Sequence, residues 1–275
     1  MPAADRRIRL RILRENHGVN TFWLNRGAGA RALLLTGWLV GGTAAATDET
    51  RPEPSATPVE KADDLTGKVS ASIYVVPQDV QFDVNVRKRF GNVTGWIGAM
   101  VDPKGESVGR VGAEYDFQTS GVLAVPAFQF GTNGFVNGSL YTELGREFFG
   151  IAGLTLTNLK PMPNLTFDPN DAIVVGAGVH LSHYDKVYAF SVVDVRLGTG
   201  QQDTHLLYRR RLNSNEGITV DVLYKSGRRD DGAFVRGIGI GVYFDRPKWF
   251  LKAAYDPWVN FTADDMVRLG GGLKF

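Results

Sequence analysis

From residue 67 onward the chain alternates between apolar and polar positions. The clearest stretch places Val80, Phe82, Val84, Val86 and Phe90 on one face and Gln81, Asp83, Asn85, Arg87 and Arg89 on the other. A period of two is that of an extended strand, whose successive side chains point to opposite sides. Asp, Asn and two Arg on one face cannot form a dry core, because burying unpaired charge is expensive. That face must meet water, and the apolar one a core or lipid. Val111, Ala113, Tyr115 and Phe117 repeat the pattern against Arg110, Glu114, Asp116 and Gln118. It returns in Ile218, Val220, Val222 and Tyr224 against Thr219, Asp221 and Lys225, and in Trp249, Leu251, Ala253 and Tyr255 against Lys248, Lys252 and Asp256. In Ile173, Val175, Ala177, Val179 and Leu181 the opposing face holds Gly176, Gly178, His180 and Ser182.

The alternation, cut at turn-forming clusters, predicts strands over 69–76, 80–90, 93–101, 107–118, 121–130, 135–145, 149–157, 171–182, 187–197, 203–212, 217–225, 233–244, 248–256 and 265–275. Fourteen is even, and the lengths suit tilted membrane strands. The links alternate between mostly tight turns and longer loops, as short periplasmic turns and outer loops would. The links at 77–79 and Arg146 are the weakest, and losing one strand pair gives twelve. The expected fold is all-β: a transmembrane antiparallel up-and-down β-barrel of 14 strands, alternatively 12. A soluble closed barrel with its apolar face inside shares the same alternation. Strand 121–130 is apolar on both faces and contains Pro126, so its orientation stays open. Arg210 and Arg236 fall on the lipid face and are expected near a rim, where such charge is tolerated.

The segment Asp265–Phe275 sets Val267, Leu269, Leu273 and Phe275 on one face, with Gly271 the weak position. This resembles the C-terminal signal of bacterial outer-membrane β-barrels in general, small porin-like ones included, which end in Phe preceded by alternating apolar residues. The resemblance implies a Gram-negative outer-membrane location. It further implies that Val267, Leu269, Leu273 and Phe275 act as the membrane-insertion signal, offered by the last strand to the barrel-assembly machinery. It extends to no specific family.

Charge and composition divide the chain. Residues 1–46 hold seven Arg against two acids, a net of +5, which leaves about −3 of the overall +2 for the rest. The body is therefore not basic, and a nucleic-acid partner loses its support. A basic flank, the apolar run 32–42 and the Ala-rich 43–46 make 1–46 a secretory signal peptide. Residues 47–66, with Pro52, Pro54 and Pro58 among acids and hydroxyls, have the composition of a disordered periplasmic linker. The barrel is expected over 67–275. Cysteine is absent, which excludes disulfides and thiolate chemistry.

The water-facing ionisable residues are the candidate pore lining: Asp83, Arg87, Arg89, Arg110, Glu114, Asp116, Arg196, Arg209, Arg211, Asp221, Lys225, Lys252 and Arg268. Lys248, Asp194 and Asp256 share that face. Bases exceed acids, so a wet lumen would favour anions weakly. The expected function is a passive channel for small solutes, with outer-membrane lipids around it. The same charges could instead pair across strands in a structural or surface-interaction barrel. A third reading rests on His180, Ser182 and Asp194, which faintly resemble the His-x-Ser arrangement of outer-membrane phospholipase A and lipid A deacylases. That resemblance would make Ser182 the nucleophile, His180 its base and Asp194 the orienting group. Here His183 stands where those families carry Asn, and the pair points to the water-facing side. No metal or cofactor is expected: the histidines lack ligand spacing, and the Gly237–Gly241 glycines open no helix. Tyr115, Tyr141, Tyr208, Trp249, Tyr255 and Trp258 are candidates for interfacial aromatic belts.

Overall fold

The computed structural model describes residues 66–275 except 104–106, 161, 163–167, 197 and 214–215. The expected leader, and the linker apart from Thr66, lie outside the described residues. The first strands are β1 (Gly67–Val76), β2 (Asp79–Phe90), β3 (Val93–Val101), β4 (Val108–Tyr115) and β5 (Phe117–Gln118). Next come β6 (Val122–Gly131), β7 (Val136–Gly145), β8 (Phe148–Thr157), β9 (Ala172–His180) and β10 (Asp185–Asp194). The chain continues through β11 (Gln202–Asn213), β12 (Glu216–Arg228), β13 (Phe234–Asp245), β14 (Trp249–Asp256) and β15 (Met266–Lys274).

Neighbouring strands pair antiparallel, and β15 returns to β1 in the register Val69↔Leu273, Ile73↔Leu269. Reciprocal backbone hydrogen bonds join Gly67 and Phe275 at 2.7 and 2.9 Å. The sheet is a closed barrel with no free edge.

The strands β4 and β5 are two pieces of one stave, so the barrel has fourteen. Both pair with β6 in one continuous register, Glu114↔Ala127 and then Phe117↔Ala124. That register sets Pro126 opposite Tyr115, and proline has no N–H to give the ladder, so the pairing lapses there. On its other side the stave stays paired, the Asp116 amide donating to the Asn92 carbonyl at 2.8 Å. The two doubtful links are tight turns, and both flanking strand pairs form.

The apolar faces point outward. Phe82, Val84, Ile97, Val111, Phe128, Leu154, Val175, Ile240, Leu251 and Leu269 are all exposed. Tens of exposed large apolar side chains, wrapped around the whole cylinder, exceed any patch that a water-soluble monomer carries. Hydrocarbon is the solvent that fits them, so this is a transmembrane barrel and the soluble alternative falls. Val267, Leu269, Leu273 and Phe275 belong to that outward face. Arg210 lies near the β11–β12 turn, bonded to Asp185 at 3.3 Å, and Arg236 is the third residue of β13, so each is near a rim. Tyr141 leaves the proposed belt: it points inward, almost fully buried, and donates its hydroxyl to Glu143 at 2.8 Å. Short links (91–92, 119–121, 146–147, 181–184, 246–248) gather at one end of the barrel, with the start of β1 and the end of β15. The other end carries most of the longer ones, including 158–171 and 257–265.

Ile97 sits mid-strand on the lipid face, whereas Phe90 ends its strand. Ile97→Arg is expected to destabilise the barrel by ~2–4 kcal/mol and Phe90→Arg by about 0–1 kcal/mol. Reversible urea unfolding in lipid vesicles checks the difference.

Candidate functional site

The inward faces meet in the lumen, and they are of two kinds. Along β6–β11 they form an apolar wall that includes Leu123, Val125, Tyr141, Phe149, Ile151, Val174, Tyr188, Phe190, Val192 and Leu207. This settles the orientation of β6: Leu123, Val125, Ala127 and Gln129 point in, while Pro126, Phe128 and Phe130 point out. The strand is apolar on both faces because it separates lipid from an apolar interior. Gly178 belongs to this wall, for a Cβ there would collide with the Phe149 ring and the Tyr188 Cβ. The remaining strands present charged faces, joined by Glu143 of β7, Lys186 of β10 and Asp203, His205, Arg209 and Arg211 of β11.

Charge also divides along the barrel axis. Toward the turn end the inward positions carry Lys68, Arg87, Arg89, Lys186, Arg209, Arg211, Lys252 and Lys274, all partly accessible. The acids at this level are Glu114, Asp116, Glu143 and Asp245. Arg89 meets Asp116 at 2.8 Å, Lys186 meets Glu143 at 3.2 Å, and Lys274 bonds Asp245. Several of these cations also rest on aromatic rings, which attract positive charge through their faces. Lys68 stands 4.0 Å from the Phe250 centroid, Lys186 4.5 Å from that of Phe149, and Arg87 4.7 Å from that of Trp96. This half is a basic vestibule.

Toward the loop end the interior is filled. Arg110 is buried against Asp83 at 2.6 Å. Lys225, wholly buried, lies 3.0 Å from Asp256 and 3.5 Å from Asp203. His205 stacks on Phe190 and turns one ring nitrogen to Asp221 and the other to Asp168, each at 3.0 Å. Asp168 comes from the link between β8 and β9, and at this residue the link reaches the interior. In the same loop Met162 is buried with Phe135 and Val108, and Asp171 receives the Thr157 amide at 2.7 Å. The link 257–265 also turns in, setting the buried Phe261 ring 5.0 Å from the Lys225 ammonium. It reaches that position through left-handed backbone at Trp258, Asn260 and Phe261 (φ 49°, 51° and 57°), a conformation that stores strain in non-glycine residues.

The candidate lining residues thus fall into separate groups. Asp83, Arg110, Asp221 and Lys225 lie in the filled half; Arg87, Arg89, Glu114, Asp116, Arg209, Arg211 and Lys252 lie in the vestibule, with Arg268 between. Arg196 stands apart, because β10 ends at Asp194. It sits at the loop-end rim, bonded to Asp171 at 3.0 Å and the Thr157 carbonyl at 2.8 Å.

The structure does not bring Ser182 and Asp194 together. Ser182 caps the β9–β10 turn, donating to Asp185 at 2.8 Å and accepting from the Tyr184 and Asp185 amides. Asp194 lies at the far end of β10, ~30 Å away at about 3.3 Å per residue, where it accepts from Thr199. His180, at the vestibule end of β9, packs against Phe149. The triad suggested by resemblance is not assembled.

Sequence reasoning missed Lys186, Asp203, Asp168 and Phe261. Strand parity finds Asp203, two residues before His205, and Lys186 once β10 begins at Asp185. No local signal marks a loop that turns inward, which is why Asp168 and Phe261 escaped.

No protein-family model matches the chain, nor does any curated protein. Among solved structures it is similar to the Acinetobacter baumannii outer membrane protein Omp33 (10% identity, TM-score 0.49, 76% of this chain and 98% of that one). It is likewise similar to the KdgM porin (10%, 0.43, 76% and 99%) and to a mutant of the Rh. blastica porin (10%, 0.44, 76% and 98%). These are bacterial outer-membrane barrels, the class that the C-terminal strand resembles. Likeness at this distance carries nothing about what passes through or binds this chain.

Lys225→Met removes the ammonium between two buried carboxylates. It is expected to destabilise the barrel by ~3–5 kcal/mol, the scale of breaking a buried pair from one side. Urea unfolding in vesicles, followed by tryptophan fluorescence, checks this.

Proposed function

We propose that the barrel is an outer-membrane channel for small solutes, passive and weakly selective for anions. The observation that supports this best is the vestibule, where accessible Lys and Arg outnumber acids. A water-filled mouth lined this way raises the local concentration of anions. Solutes would then meet the filled half, where Phe261 and Asp168 narrow the path beside Lys225 and His205. A low unitary conductance follows, since Asp168 and Phe261 stand in the interior of this half.

Reversal potentials across planar bilayers in a KCl gradient test the reading. A modest shift toward the chloride potential is expected, reduced by Arg87→Gln with Arg209→Gln. Clear cation selectivity would overturn it. Phe261→Ala, which removes the ring over Lys225, is expected to raise unitary conductance. The filled half also favours a second reading, a closed structural barrel, to which a purified chain that inserts without conducting would point. The unassembled triad leaves acyl hydrolysis without support.

A further inference from the structure

The lipid-facing surface is not uniform. At the loop end most staves present apolar residues outward, among them Val75, Phe82, Phe130, Leu156, Ile173 and Val267. Three neighbouring staves do not. Gln202 of β11, Ser226 of β12 and Arg236 of β13 are register partners and form one outward row. Arg228 lies one pleat nearer the loops on β12, opposite Phe234, which places it diagonally from Arg236 at ~7–8 Å between Cα atoms. Below the row, Gln202 donates to Thr204 at 3.0 Å, and Thr204 shares a 2.8 Å hydrogen bond with Ser191.

The two guanidiniums are the unusual part. Among the described residues neither has a carboxylate at ion-pair distance. Arg228 donates to the Gly232 carbonyl at 3.3 Å, and Arg236 lies over the Phe234 ring at 5.3 Å. Arg229, next in sequence, is held by Asp231 at 2.6 Å and takes no part. Hydrocarbon cannot solvate such groups, so they reach for the interface. Trp258 marks that level, its indole N–H bonded to the Arg236 carbonyl at 3.0 Å.

We infer that this face of β11–β13 holds the phosphorylated headgroup of a lipid in the outer leaflet. Guanidinium binds phosphate through paired, charge-assisted hydrogen bonds, and two of them span one headgroup with the Gln202 and Ser226 dipoles alongside. A second copy of the chain fits less well. A two-fold contact through this patch would set guanidinium against guanidinium. The outward acids of the described strands, Asp185 and Glu216, lie at the turn end, engaged by Arg210 and Arg246. The inference rests on the outer-membrane reading above, which places the loop end outward.

The test uses the full mature chain in phosphatidylcholine vesicles, with and without bisphosphorylated lipid A, and with lipid A whose phosphates have been removed. Lipid A is expected to raise the unfolding midpoint of the natural chain. Arg228→Gln with Arg236→Gln should abolish that rise and weaken retained lipid A by ~100-fold or more, on the scale of two lost charge-assisted bonds. Arg→Lys at both sites should restore part of it. Equal stabilisation of the glutamine variant, equal stabilisation by dephosphorylated lipid A, or an effect of inorganic phosphate alone would each overturn the inference. So would a concentration-dependent dimer that the variant loses, which would make the face a contact between copies. Heat-modifiable migration on gels confirms that each variant folds. Failure of the outer-membrane reading shows separately, as failure to insert into vesicles of phosphatidylcholine alone.

Discussion

Backbone hydrogen bonding in hydrocarbon is the constraint on which the rest depends. An amide or carbonyl left unpaired in lipid costs several kcal/mol, so a spanning sheet must have no edge. This chain meets the requirement by joining β1 to β15 along eight register pairs, Val75↔Val267 to Lys68↔Lys274. Even Pro126, which can give nothing to the ladder, opens a lapse of only two pairs, at Tyr115 and Asp116. Closure fixes the alternation of every stave, and alternation sends one set of side chains into lipid and the other into a shared interior.

That interior has two solutions side by side. Along β6–β11 it packs as an apolar core, with Leu207 and Val192 wholly buried. Elsewhere, and at Glu143, Lys186, Asp203 and His205 within that arc, it is ionic, and the ion pairs change character along the axis. In the vestibule, cations rest on rings and meet carboxylates at accessible positions, where pairing contributes little to stability. In the filled half Lys225 lies between two buried acids, and its loss is costly. The loops that close this half are held by interior contacts: Asp168 by His205, and Phe261 by the Lys225 ammonium.

The outer face was readable in the sequence because lipid selects for hydrophobicity alone at every second position. Val80–Phe90 showed it without any tertiary information, and the strands at 107–118, 171–182, 217–225, 248–256 and 265–275 could be oriented the same way. The interior was less readable, since water, ion pairs and apolar packing are all admissible there. Tyr141 passes equally for a belt residue and for a core residue, and only its place in the apolar wall decides. Strand β6 looked ambiguous because it is apolar on both sides. Partners such as Lys225 with Asp203 and Asp256 come from three staves, and their meeting depends on register and stagger that no single strand encodes. The inward loops carry no periodic signal at all.

The absence of cysteine permits the most direct examination of the central claim, that apolar faces meet lipid and charged faces meet the lumen. Single cysteines placed in turn at Phe82, Asp83, Val84, Asn85, Val86 and Arg87 can each carry a spin label in vesicle-reconstituted protein. The account predicts a period of two, with labels at Phe82, Val84 and Val86 relaxed by lipid-dissolved oxygen and the intervening three shielded from it. A reversed phase, or equal oxygen accessibility at all six sites, would contradict it.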